Sequence, residues 1–443
     1  MKVPCTENGY AGVKHENIRL LSMKVANFAN SGKKSNLDKK DLKKYYTSRK
    51  NVAVILGLQQ ITALNTVRSL AEMHVPVIGI TSDPRHPCAR TRFAEKVFCR
   101  NINSLDLIDT LIELGKRFNK KAFLLPTSDP QVHLISENRE VLTPYYYMAF
   151  PSKDVVELLL HKDRFSVYAQ ENNLPIPKTL NVQRESSLKE VIEDISFPCV
   201  LKPFDKTPEW GKHFSDDKIL LVDTRKKLAA LLPEILRWID RLLVQEWIEG
   251  EDKDVYFCLM YFDENSKPKA TFGGRKLRQW PPYTGNTAIA EACYVEEVIR
   301  QSIELFKSVR YHGIGSVEYK LDKRDGKYKI MEPTVGRPNL QSYLSVTGGI
   351  NLNYIAYCDK CNVPMRHLDE VQNPGTKVKW VNEFADLESA RFYKKKHKLN
   401  NMTWIKSLNG KKSYALWILN DPLPFLLTIA NKINHKSKKI LRG

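Results

Sequence analysis

Long apolar runs are missing from this 443-residue chain. None approaches the roughly 20 residues that cross a bilayer, and the first 20 residues lack the unbroken apolar segment of a secretory signal. Cysteine is scarce too. Its eight copies are spread over the whole length, which excludes a dense disulfide framework and fits the reduced thiols of a cytoplasmic protein. The one CxxC pair, Cys358 and Cys361, has no second pair at zinc-site spacing. Glycine, 20 residues in all, is missing where common nucleotide loops need it. The turn after the first apolar run reads LGLQQITAL, with one glycine instead of GxGxxG, and GxxxxGK[ST] occurs nowhere. Dinucleotide-fold and P-loop readings are therefore poor ones.

Positive charge is present but confined. Lys and Arg number 70 against 50 Asp and Glu, a formal net charge of +20. The excess sits at the ends, +8 over residues 1–50 and +12 over 391–443, so the body between them is neutral. A nucleic-acid enzyme carries its positive field on the working domain, so a nucleic-acid partner is not expected. The basic ends read either as solubilising tails or as an attraction to an anionic polymer or membrane headgroups. The second reading leaves peripheral attachment at the inner membrane surface open.

The length allows two to four domains. A basic extension covers 1–50. Residues 51–56 (NVAVIL) and 77–81 (VIGIT) read as buried strands around a helix whose apolar face carries Ile61, Leu64, Val67 and Leu70. With a helix over 105–118 and a strand over 122–125, this predicts a doubly wound domain at 51–150 that scaffolds or binds a substrate rather than gripping a nucleotide. From 151 to 365 strands and helices mix without strict alternation, which predicts α+β units around a cleft. Strands are expected near 199–202, 219–222, 243–247, 255–261, 315–321 and 328–332, with helices at 152–169, 224–238 and 294–310. A basic helical extension follows over 366–443. There Phe425, Leu426, Ile429 and Ile433 keep helical spacing beside Lys432, Lys436, Lys438 and Lys439. That pattern suits a helix lying on a membrane surface or a short helix packed on the catalytic domain.

Chemistry concentrates in two segments, GIGSVEYKL and IMEPTVGRPN. They form a predicted hairpin whose DG turn sets the strands side by side, so Glu318 and Glu332 can face one cleft. Two acids on apolar strands need a cation to offset their burial. A hard divalent ion with oxygen ligands, Mg²⁺ with nucleotide phosphates, is the common intracellular case, and pairing of each glutamate with a nearby Lys or Arg is the alternative. Upstream, Lys162 and Lys202 lie at helix and strand ends where point charges suit phosphate oxygens. Gln245 and Glu246 end an apolar strand able to border adenine, and Asp252 is the candidate for ribose hydroxyls. Arg275, Lys276 and Arg278 cluster in GGRKLRQWPP, able to meet a phosphoryl group or a substrate carboxylate.

In order and spacing these residues resemble the ATP-grasp superfamily, in its carboxylate–amine ligase branch, which includes proteins similar to D-aspartate ligase. The resemblance runs over about 50–365 and is carried by HKDRF, VLKP, QEWI, the acid after Gly250, SVEYK and MEPTVGR, with EPTVGRPNLQS and TGGINL the most specific part. It implies an α/β and α+β protein: a doubly wound domain, then a two-subdomain ATP-grasp fold over 151–365. ATP would lie between the subdomains with Lys162 and Lys202 on its phosphates. Gln245, Glu246, Trp247 and Ile248 would border adenine, and Asp252 would hold ribose. Glu318 and Glu332 would hold Mg²⁺ (or Mn²⁺), with Asn339, Thr334 or water completing the site, since Thr334 stands where many relatives carry asparagine. Arg337, with Arg275 and Arg278, would stabilise the reacting group. The implied reaction passes the γ-phosphoryl group to a substrate carboxylate. An amine, possibly that of an amino acid, then attacks the acyl phosphate to give an amide, ADP and phosphate. Two other readings stand beside it: a degenerate ATP-grasp body that binds an anionic polymer or membrane, and a carboxylase or kinase on the same fold. The loop after Lys202 departs from glycine-rich relatives, with Gly211 its single glycine.

Overall fold

The computed structural model describes residues 37, 40–204, 208–213, 219–365, 370–371 and 375–440. Most of the basic N-terminal extension, and part of the loop after Lys202, therefore lie outside the described residues. Among the described residues the strands form three sheets.

The first is wholly parallel. It is built from β1 (Ala53–Leu56), β2 (Val77–Thr81), β3 (Glu95–Phe98), β4 (Ala122–Leu125) and β5 (Tyr146–Met148), in the order β3-β2-β1-β4-β5. Every residue of β1, β2 and β4 is buried, as short all-apolar runs require when helices cover both faces. The second sheet is antiparallel: β6 (Thr179–Gln183), β7 (Cys199–Pro203), β8 (Leu220–Val222) and β9 (Arg241–Glu246), ordered β6-β9-β7-β8. Val182, Leu201, Val222, Leu232 and Val244 give it a core of its own.

The third sheet is the largest. It takes β10 (Val255–Phe262), β11 (Pro268–Trp280), β12 (Asn286–Ala292), β13 (Gly313–Asp322), β14 (Lys327–Val335), β15 (Glu370–Val371), β16 (Val378–Val381) and β17 (Lys411–Tyr414). The order is β14-β13-β10-β11-β12-β16-β17, with β15 beside β11. Strand β10 is buried throughout. Its alternate residues enter two clusters: Cys258, Met260 and Phe262 pack with Phe306, while Phe257, Leu259 and Tyr261 pack with Ile355 and Phe123. Both clusters also contain residues of the parallel sheet, so that domain and the large sheet share their core.

Three features differ from the sequence reading. The helix expected over 152–169 is two, Lys153–Leu160 and Lys162–Glu171, broken at His161. Strands β11 and β12 were not foreseen, because charged residues interrupt the alternation of β11. The C-terminal region contributes three strands to the large sheet, β15, β16 and β17, with helices Glu383–Lys395, Asn401–Ser407 and Leu423–Ile440 around them. This region is anchored rather than trailing. Arg68 and Asp421, 0% and 2% exposed, pair at 2.9 Å, and Asp421 also accepts from Thr91 Oγ1 at 2.7 Å and the Arg92 N–H at 3.1 Å. Phe425 stacks on Phe384 and Leu427 is buried, whereas Leu426 and Ile433 face outward. No helix of the described residues is long and apolar enough to cross a membrane.

Candidate active site

The hairpin β13–β14 sets the site. Glu318 stands directly opposite Glu332, and Ser316 opposite Thr334. Residues directly opposite in an antiparallel pair project from the same face, so the two carboxylates converge. A register irregularity falls between Glu318 and Tyr319, where Met331 is the extra residue on β14. A bulge of this kind re-aims side chains, and here Met331 and Glu332, though consecutive, both line the cleft.

That cleft lies between the small antiparallel sheet and the large sheet. It holds two adjoining cavities of about 450 and 320 Å³, both lined by Asp129, Lys162, Lys202, Gln245 and Glu332. The second also receives Glu246, Trp247, Ile248, Lys276, Glu318, Lys320, Arg337 and Asn339. Lys162 opens the helix that follows the break at His161. Lys202 sits near the end of β7 and donates from Nζ to Gln245 Oε1 at 2.6 Å, while Gln245 Nε2 donates to Thr179 Oγ1 at 2.8 Å. Burial pushes the Lys202 ammonium down to about 8; the negative charge of Glu332 partly opposes this and the nearby Lys162 adds to it. Two lysines thus crowd an enclosed pocket whose energetics improve when an anion arrives.

The acids are not equivalent. Glu318 pairs with Lys276 at 2.8 Å, as the alternative reading of the motif anticipated. Glu332 forms no ion pair among the described residues and is exposed to the cleft, which leaves a carboxylate ready for a cation. Asn339 Nδ2 donates to Ser316 Oγ at 3.0 Å and its Oδ1 accepts from the Leu340 N–H, so it braces the same hairpin face. At the end of β9, the Trp247 N–H donates to the Pro198 carbonyl, while the Ile248 N–H finds no backbone partner among the described residues. Glu246 is held by Arg324 at 2.7 Å.

Arg337 reaches the cleft from the turn after β14. Its Nε and Nη2 meet Asp129 Oδ1 and Oδ2 at 2.5 and 3.0 Å, a two-pronged contact that brings a carboxylate of the parallel-sheet domain into the site. Gly336 makes this turn with φ of +65°, and a Cβ there would stand 2.7 Å from Phe150 Cβ.

Three expected site residues lie elsewhere. Asp252 is 3% exposed, and its carboxylate accepts from the Gln279 N–H, Gln279 Nε2, the Tyr283 N–H and Tyr393 Oη at 2.8–3.0 Å. With its lone pairs engaged it fixes the strand end and turn that border the cleft, and it has no capacity left for a ribose. Arg275 faces away and pairs with Glu291 at 2.7 Å. Arg278 is buried against Asp386 at 2.7 Å. Arg275 faces away by ordinary alternation beside Lys276, and the register irregularity in β11 between Lys276 and Arg278 turns Arg278 to the same side, leaving Lys276 and Gln279 on the cleft. Of the cluster Arg275, Lys276 and Arg278, only Lys276 lines the cleft, and Lys320 is the cleft cation that the motif reading did not name. The spacing i, i+2 from Glu318 was a usable signal for Lys320.

No family model matches the chain. Over 318 residues it is 27% identical to a D-aspartate ligase of Enterococcus faecium, covering 68% of this chain and 74% of that one. The ADP complex of an N5-carboxyaminoimidazole ribonucleotide synthetase matches with a TM-score of 0.55 over 72% of this chain and 78% of its own, at 14% identity. Campylobacter jejuni biotin carboxylase in its β,γ-ATP complex matches with a TM-score of 0.53 over 71% and 72%, at 15% identity. The structural likenesses concern the fold; the sequence likeness spans about two thirds of the chain. Together they show that the chain has the ATP-grasp fold of these nucleotide-bound enzymes and is similar in sequence to a D-aspartate ligase.

Proposed function

We propose that this chain uses ATP to phosphorylate a substrate carboxylate and joins the acyl group to an amine. The observation that carries the proposal is the direct pairing of Glu318 with Glu332 in a cleft shared with Lys162 and Lys202. The donor set suits Mg²⁺, a hard cation that takes carboxylate and phosphate oxygens. Glu318 and Glu332 would hold it, with Asn339 beside them, and it would neutralise phosphate charge during transfer. Lys162 and Lys202 bind phosphate oxygens as point charges. The Ile248 N–H at the end of β9, without a backbone partner among the described residues, supplies a hydrogen-bond donor for a flat base, with Trp247 and Ile248 as apolar walls.

A carboxylate is a poor acylating agent at neutral pH. Its oxygen attacks the γ-phosphorus as the bond to ADP breaks, which gives the carbonyl carbon a phosphate leaving group. The amine nitrogen then attacks that carbon, phosphate leaves, and the nitrogen sheds a proton. Arg337, already suited to forked oxygen pairs through its contact with Asp129, stabilises the oxyanion or the acyl phosphate. The likeness to a D-aspartate ligase favours an amino acid as one reactant.

Screening amino acids and amines for ADP release tests the reading. ADP formation is expected to require an amine and to fall at least about a hundredfold in Glu332→Ala. Release that proceeds without any amine would support a carboxylase or kinase instead, and no release with any pair would support a degenerate binding body.

A further inference from the structure

Outside the glutamate pair, one grouping of three metal-competent side chains stands out among the described residues: His133, Glu157 and His161. They come from three places in the chain. His133 lies on helix Asp129–Glu137 of the parallel-sheet domain, Glu157 on helix Lys153–Leu160, and His161 at the break before helix Lys162–Glu171. Glu157 and His161 are four residues apart, which sets them on one side of the chain. His133 Nδ1 lies 3.1 Å from Glu157 Oε1, and His161 Nε2 lies 3.2 Å from Glu157 Oε2. The two rings meet edge to face at 6.1 Å. Glu157 Oε1 is buried and forms no hydrogen bond, even with His133 so near. A buried carboxylate oxygen without a donor is costly unless a cation faces it.

We propose that His133, Glu157 and His161 form a binding site for a borderline divalent transition-metal ion of the zinc class, separate from the magnesium pair. Two imidazoles and one carboxylate are a three-ligand zinc set that leaves a fourth position for water. Mg²⁺ prefers oxygen alone, so the two sites select different ions. The three ligand atoms lie within 4.8 Å of one another. Tetrahedral zinc ligands stand about 3.3 Å apart at bond lengths of about 2.0–2.1 Å. Rotation of the two imidazoles, 49% and 43% exposed, closes the difference. Arg164, 3.3 Å from Glu157 Oε2 and itself exposed, is free to swing away as the ion enters.

The position gives the site a consequence. His133 and His161 line the same cavity as Lys162, Lys202 and Glu332. His161 immediately precedes Lys162, and His133 shares its helix with Asp129, the partner of Arg337. A bound ion ties the parallel-sheet domain to the helix junction that presents Lys162.

The test is a Co²⁺ titration of the full-length protein in excess Mg²⁺, read by visible absorption, with Zn²⁺ as competitor. One equivalent with tetrahedral d–d bands, displaced by Zn²⁺, is expected. His133→Ala and His161→Gln are each expected to weaken binding at least about tenfold, and Cys361→Ser to leave it unchanged. Absence of stoichiometric binding to the wild-type chain overturns the proposal. So does binding undiminished in both histidine variants, or thiolate charge-transfer bands that vanish in Cys361→Ser. Since the readout is metal binding, none of these outcomes bears on the ligase reading.

Discussion

Lys202 shows how one residue can couple the cleft to pH. Enclosure disfavours its charged form and lowers it from 10.5 to about 8. Between about pH 8 and 10.5 the unfolded chain holds this proton and the folded chain releases it, so this residue's contribution makes stability rise with pH across that window. A phosphate reverses the bias by favouring the ammonium. Nucleotide affinity is therefore expected to weaken above about pH 8, with proton uptake on binding, measurable by titration calorimetry in buffers of different ionisation enthalpy. Lys202→Met should abolish both effects. Asp252 offers the opposite lesson. Motif order predicted a ribose ligand, but its four donors make it a structural acceptor. Asp252→Asn sets an amide N–H₂ against groups that donate, at a cost of about 2–3 kcal/mol in a urea melt. A ribose ligand would lose nucleotide affinity with little loss of stability; the reverse pattern is expected. Spacing along the chain gives residue type and order, whereas the face a side chain occupies depends on what surrounds it.

At the scale of elements, the β13–β14 hairpin was readable because its signals agree: two apolar runs, a DG turn and one acid on each strand. Strand β11 was not readable. Its irregularity after Lys276 turns Arg278 to Asp386 and leaves Lys276 on Glu318, a choice made by pairing with β12. The helix break at His161 was equally silent, since Lys153–Leu160 and Lys162–Glu171 together read as one periodic stretch. The turn after β14 is more demanding. Gly336 combines positive φ with close contact to Phe150. Gly336→Ala is expected to cost about 1–3 kcal/mol, read from the denaturation midpoint, and to loosen the contact of Arg337 with Asp129.

Across the whole molecule, the parallel sheet and the large sheet share apolar clusters while the small antiparallel sheet keeps its own. The cleft therefore has one wall built on the joint core and one on a separately cored layer. The basic C-terminal region belongs to the joint body. Removing one partner of a buried ion pair costs about 3–5 kcal/mol, so Asp421→Ala should lower the unfolding free energy by that amount, read from the midpoint and slope of chemical denaturation. Truncation from residue 421 should impair folding for the same reason, whereas a tail that only touched a membrane could be lost without effect on catalysis.

The sequence by itself determined the α/β and α+β plan, the glutamate hairpin and the two lysines that line its cleft. Those follow from local periodicity, turn chemistry and the order of charged residues along the chain. Tertiary structure alone decided which cations face the glutamates, that Asp252 is a brace, that Asp129 reaches Arg337 from another domain, and that two histidines meet Glu157. Each of these depends on contacts between elements far apart in sequence and on bulges that invert a strand's faces, and neither leaves a local trace in the order of residues.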